Sequence, residues 1–322
     1  MLKSVKQSET PLVNYLAAAR SAYELGEHKE AHELLHKAEK CGPNNVLAIA
    51  LTQARMQLLD KKYELCVATL ERVKKKVPRH PVILDLLRQS YTALRDWRGL
   101  QSLLPTLRRQ KVYTEEKMKM IENNLYQALL TDAGEQAKRV SGKQSLQKLE
   151  EAWQLIPRVL QRQPEMVEPY VRMLRQHDGD VVAELVLRRM LNKNWSENLV
   201  RLYGLVESDD PQKQLLTAKD WLKERPGNAS LMLTLGRLCL RNELWGKARD
   251  YFESSLRLQR DPETFAELAR LLAHLGEHER STEYYQEGLL MMTNGLPELP
   301  MPVIKGKEII NRENPTPAVV AR

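Results

Sequence analysis

Residues 229–262 constrain the fold more than any other stretch. They read as one helix, a tight turn and a second helix, with small residues where two helices must touch: Gly236 in the first and Ala248 in the second. Leu235 precedes the glycine, Trp245 opens the second helix, and Phe252 lies one helical turn beyond Ala248. A bulky side chain at either small position would hold the helices apart, while Leu235 and Phe252 fill the space that remains. A hairpin of this kind cannot bury its apolar face alone, so one unit predicts neighbours stacked on it.

The rest of the chain supplies those neighbours in register. A first repeat covers about 12–44, with Tyr15, Ala19, Gly26, Ala31, Leu35, Ala38 and Pro43 at the repeating places. Gly26 is expected to end its first helix and Pro43 its second. A second spans about 47–79, with Ala54, Tyr63, Cys66, Leu70 and Pro78. The pairs Ala19/Ala54, Ala31/Cys66, Leu35/Leu70 and Pro43/Pro78 all keep a spacing of 35 residues. A third runs over 81–112, with Pro81, Tyr91, Trp97, Leu100 and Leu104, and a last over 262–293, with Phe265, Ala269, Gly276, Ser281, Tyr285 and Gly288. This is the pattern of the tetratricopeptide repeat, a helical hairpin of about 34 residues. The expected fold class is therefore all-α, an α-α superhelix of helix-turn-helix units.

Between 113 and 226 the helical pattern persists but the repeat signature fades, as in a degenerate helical-pair region. Thr114 is a candidate helix cap, with Glu115 and Glu116 suited to a first turn. Residues 134–142, bounded by two glycines, read as a loop. Residues 145–163 read as a helix with Leu146, Leu149, Trp153, Ile156 and Leu160 on one face, bent at Pro157. Further breaks are expected at 177–180, 192–196, 208–211 and 225–228. The organisation expected is a remnant of a preceding repeat or linker at 1–11, three repeats over 12–112, the degenerate region over 113–226, two repeats over 227–293 and a disordered tail over 294–322, whose prolines disfavour a packed element.

Composition excludes several classes. No hairpin dipeptides flank alternating β-branched runs, which argues against strands. Three cysteines with no metal-type spacing read as free thiols, with Cys66 and Cys239 at inward repeat positions. No apolar run approaches the roughly 18 residues that span a bilayer, and residues 1–10 lack the apolar stretch of a secretory signal. The formal charge of +8 is moderate and diffuse; it suits acidic partners or an anionic surface without implying nucleic acid.

His32, Glu33 and His36 match H-E-x-x-H, the zinc-binding helix of many metalloproteases, and His28 extends the stripe by one turn. Two imidazoles on one helical face can hold zinc while the glutamate polarises water. Against this, Ala31, Leu35 and Ala38 are claimed by the repeat core, which turns His32 and His36 outward, and no third ligand follows at a recognisable spacing. A solvated helix surface is the favoured reading, and a zinc hydrolase the remote one. His274 and His278 form a second such pair, again expected in solvent. Gly134 with Gly142 and Lys143 lacks the spacing and the Ser or Thr of a phosphate loop. The basic run at 72–80 suits a helix C-terminus, and no aromatic interleaving supports base stacking.

The first helix of each stacked hairpin lines a groove, and its ninth repeat position should face it. Those positions are Arg20, Arg55, Gln89, Arg237 and Arg270, with Arg88 beside the exception. Such a ladder suits carboxylates held bidentately, and so an acidic partner segment or a carboxylate ligand.

Several stretches resemble the soluble domain of the HemY-like proteins: PLVNYLAAA from Pro11, VPRHP from Val77, Asp96-Trp97 with the following SLLP, and Leu235-Gly236, Leu244-Trp245, Ala248, Phe252 and Glu287-Gly288-Leu289. The resemblance covers about 11–293. It implies a bacterial inner-membrane protein associated with late protoheme synthesis, with the repeat domain on the cytoplasmic face behind two N-terminal membrane helices. The chain is then expected to be a shortened form lacking that anchor. The implied role is a non-catalytic scaffold for haem-pathway proteins; the alternative is a general tetratricopeptide adaptor of another assembly. No resident cofactor is expected, though haem propionates could meet the arginine ladder. H-E-x-x-H is not part of the family pattern, so the resemblance assigns no metal site here.

Overall fold

The computed structural model describes residues 11–42 and 45–293, together with the backbone of two short strands beyond them. It contains sixteen α-helices among the described residues, and its contacts divide it into two compact units meeting between Met190 and Leu191. That division falls inside the 113–226 region.

In the first unit, α1 (Pro11–Glu24) pairs with α2 (His28–Glu39), α3 (Val46–Leu59) with α4 (Tyr63–Lys74), and α5 (Pro81–Leu94) with α6 (Trp97–Arg109). Then come α7 (Glu115–Ala137), α8 (Lys143–Leu155), α9 (Pro164–Gln176) and α10 (Asp180–Leu191). The second unit holds α11 (Glu197–Tyr203), α12 (Pro211–Glu224), the hairpin of α13 (Ala229–Arg241) and α14 (Trp245–Leu258), and the hairpin of α15 (Pro262–His274) and α16 (His278–Met292).

The repeat logic is visible atom by atom. A Cβ added at Gly236 would lie 2.3 Å from the Phe252 ring, so α13 and α14 touch where the small residues predict. Ala19, Ala31, Ala54, Cys66, Ala248 and Ala269 have no exposed surface. Within a hairpin the small residue of the second helix meets the backbone of the first: Cys66 Sγ donates to the Ala54 carbonyl at 3.3 Å, and Ser281 Oγ to the Ala269 carbonyl at 2.7 Å. Both cysteine assignments hold, since Cys66 and Cys239 are free and buried, and burial pushes both thiols up.

The turns share one geometry. Gly26, Lys61, Arg95, Glu243 and Gly276 each end a first helix with φ between 56° and 85°. The next amide donates back into the helix: Glu27 to Ala22, Lys62 to Gln57, Asp96 to Tyr91, Leu244 to Cys239 and Glu277 to Leu272, at 2.8–2.9 Å. This closure satisfies orphan carbonyls and turns the chain back after a break of two or three residues. Only two of the five positions are glycine, so the remaining three hold L-residues in a region that disfavours them.

Several expectations need correction. Gly134 is not in a loop. It is buried inside α7, where an added Cβ would sit 3.0 Å from Met173 Sδ of α9, so its small size serves packing. Pro157 does not bend a helix over 145–163; α8 ends at Leu155, Ile156 is extended, and a separate 3₁₀ turn (Leu160–Arg162) follows. A residue preceding proline is pushed out of the helical region, which explains the full stop. The break expected at 208–211 is present but begins earlier, since α11 ends at Tyr203 and α12 starts at Pro211. Within the expected tail, Ile304–Lys305 and Glu308–Ile309 pair antiparallel, against the reading that strands are absent. Residues 1–10, Pro43 and the remainder of 294–322 lie outside the described residues. Thr114 caps α7 as expected, accepting from the Lys117 amide at 3.3 Å.

Candidate functional site

α1 and α3 are first helices of consecutive hairpins and pack side by side. Their outward faces leave a groove of about 550 Å³. Tyr23 and Met56 are buried beneath it, and Tyr23 Oη donates to the Met56 carbonyl at 3.0 Å, tying the two helices together. Burial, then hydrogen bonding to Asp60, holds the Tyr23 phenol well above its ordinary range, so it stays a neutral donor. Leu16 and Leu58 add apolar surface, and Val13 and Leu59 stand 60% and 66% exposed along the sides.

Two guanidinium groups face this apolar surface. Arg20 is exposed and donates from Nε to Glu24 Oε1 at 2.9 Å. Arg55 is exposed and makes no hydrogen bond or ion pair among the described residues. The reason is compositional: α3 reads VLAIALTQARMQLL and contains no Asp or Glu, and among the described residues Glu24 of α1 is the one carboxylate lining the groove.

Elsewhere the ladder is satisfied from within the chain. In α5, Arg88 donates to Tyr113 Oη at 2.7 Å and pairs with Asp85 at 3.1 Å, and Gln89 donates to the other Asp85 oxygen at 3.0 Å. Tyr113 Oη also donates to Asp85. Burial alone would push the Asp85 carboxyl up, but the bonds from Tyr113 and Arg88 outweigh it and hold it below the usual carboxylate range.

In the second unit Arg237 is only 6% exposed. Its Nη2 meets Glu263 at 2.6 Å and its Nε meets Glu267 at 3.1 Å, both carboxylates coming from α15. Arg201 joins the same cluster through Asp261 at 3.1 Å and Glu263 at 3.3 Å. Arg270 pairs with Glu267. Arg201 and Arg237 bolt α11 and α13 to α15 and the residue before it, and Arg237 is not an open groove residue. The ladder is thus unpaired at Arg55 among the described residues, paired only on its own helix surface at Arg20 and Arg270, and engaged across elements or with half-buried carboxylates at Arg88, Gln89 and Arg237.

The histidine stripe stays on the helix surface. His28, His32, Glu33 and His36 are exposed. His32 Nδ1 contacts the His28 carbonyl at 2.7 Å, His36 Nδ1 meets Glu39 at 3.1 Å, and His28 packs edge-on against Tyr23. Among the described residues, no group of three His, Cys, Asp or Glu side chains is placed to hold a metal ion. In the basic run, Lys74 pairs with Glu71 while Lys75, Lys76 and Arg79 are exposed.

The apolar groove itself was not foreseen from the sequence, although its signal was there: a first helix with apolar residues on more than one face and no acid. The carboxylates that consume Arg237, Glu263 and Glu267, sit seven and three residues before Arg270 and could likewise have been found by looking one repeat ahead.

The hairpins, their shared turn closure and the groove between first helices define a helical-repeat protein of tetratricopeptide type. No family model matches the chain. Its sequence is similar to Protein HemY of Escherichia coli (strain K12), 23% identical over 297 residues, covering 92% of this chain and 73% of that protein. Protein HemY of Shigella flexneri is similar to the same degree. Among solved structures, a Cut9–Hcn1 hetero-tetramer of the APC/C aligns with 89% of this chain and 67% of its own, at 15% identity and a TM-score of 0.36. MamA aligns with 56% of this chain and 98% of its own, at 12% identity and 0.34. The human IFIT1 dimer with m7Gppp-AAAA aligns with 88% and 69%, at 16% and 0.37.

Proposed function

We propose that this chain is the protein-binding part of a scaffold associated with late haem biosynthesis, held at the cytoplasmic face of a bacterial inner membrane by a segment outside the described residues. Its role is to bring partner proteins together, not to catalyse. The observation that carries this reading is the similarity to HemY along nearly the whole chain, which makes the haem pathway the place to look for partners. The open groove between α1 and α3 supports the binding role, since a first-helix face lined by apolar side chains and guanidinium groups is a surface for a segment of another protein. Among the described residues no helix is long and apolar enough to cross a membrane, so the tether is sought elsewhere.

Crosslinking in bacterial membranes followed by capture of the tagged protein tests this. Recovery of porphyrin-synthesising enzymes is expected. Their consistent absence from the captured set, with other proteins recovered, would transfer the chain to a general adaptor role.

A further inference from the structure

Consecutive first helices in this chain usually settle their own charge. Asp85 answers Arg88 on α5, and Glu263 and Glu267 of α15 answer Arg237 and Arg270. The α1–α3 pair breaks the pattern. It presents Arg20 and Arg55 to a 550 Å³ groove, and its sole carboxylate, Glu24, is already on Arg20. The position in α3 that corresponds to Glu267, three residues before the arginine, is Thr52, whose hydroxyl is turned back on the Ala48 carbonyl at 2.9 Å. The groove therefore lacks the acid that its counterpart has, and Val13 and Leu59 stand exposed along its apolar sides.

We propose that the groove between α1 and α3 receives an acidic segment of a partner protein, with one large apolar side chain seated between Leu16 and Leu59 and a neighbouring Asp or Glu held by Arg55 and Arg20. The charge complementarity is specific to this occupant. A guanidinium fork grips a carboxylate bidentately and is more weakly hydrated than an ammonium, so it gains most from an acid that arrives with its own apolar cover. A groove of several hundred Å³ suits one anchor residue and its flanks. The inference rests on the protein-binding reading above, and names the chemistry of what binds.

The test is a titration of the purified chain with a short fluorescent peptide of glutamates flanking a Leu-Phe pair, followed by polarisation. Two control peptides replace the glutamates with glutamine or the Leu-Phe pair with alanine. Binding of the acidic peptide is expected, weakened about tenfold or more by either control change, by Arg55→Glu, and by Leu59→Asp. Arg55 and Leu59 are exposed, so both variants should keep the circular dichroism of the parent. Equal binding of the glutamine peptide, an affinity unchanged by Arg55→Glu, or no binding of the acidic peptide would each overturn the proposal. Undiminished capture of haem-pathway enzymes by the Arg20→Glu, Arg55→Glu chain would remove this groove while leaving the scaffold reading intact. Peptide binding without such enzymes would do the reverse.

Discussion

Arg55 in α3 and Arg237 in α13 hold the same repeat position on the first helices of their hairpins, in different units of the molecule. Arg55 is exposed and faces an apolar groove, whereas Arg237 is buried between Glu263 and Glu267. The arginine itself does not decide this. The next first helix decides it for Arg237, because α15 brings two carboxylates to it. For Arg55 no carboxylate comes from its own helix, and Asp85 on α5 is occupied by Arg88, Gln89 and Tyr113. A repeat position in this fold is thus a bolt or an open hand according to its neighbours' acids.

The largest effect expected from this contrast is on stability. Arg237→Ala removes the buried partner of Glu263 and Glu267, which keep Arg201 and Arg270, and should destabilise the second unit by about 2 kcal/mol. Arg55→Ala should change stability by no more than about 0.5 kcal/mol. Guanidinium denaturation of both variants measures the gap, and similar losses would erase the distinction. A second change moves one region toward the other. Thr52→Glu places an acid where α15 has Glu267, and should leave the fold intact while weakening acidic-peptide binding about tenfold.

The fold was legible because its constraints are local and repeated. Gly236 against Phe252 and the burial of Ala19, Ala31 and Cys66 follow from spacing alone. Gly134 and Pro157 were misread because a glycine in a sequence does not say whether it serves a turn or a close packing, and a proline does not say whether the helix resumes. The ladder was half legible. Position predicted which arginines lie on first helices, but pairing depends on side chains some thirty residues away, such as Glu263 and Glu267 for Arg237, and periodicity does not carry that information.

Two smaller effects sharpen the comparison. The turn closure is shared by both units, so Lys61→Gly and Glu243→Gly should each stabilise by about 0.5–1 kcal/mol, by relieving an L-residue with positive φ. A gain in one unit alone, seen in thermal melts, would mean that the turns differ as well as the arginines. The smallest effect concerns Asp85. Its carboxyl is held below the usual range in the folded chain, so its stabilisation is present above the unfolded carboxyl pKa of about 3.9 and fades as pH falls through the folded value. Asp85→Asn should therefore lower the urea midpoint at neutral pH and match the parent in acid. A constant difference across that range would show that Asp85 acts through shape and not through charge.

The most direct measurement is the affinity of the acidic Leu-Phe peptide for the parent chain and for Thr52→Glu, side by side at low salt. Binding to the parent and at least about tenfold weaker binding to the variant is the predicted result. Equal affinity for the two would contradict the idea that a missing acid on α3 is what keeps Arg55 open.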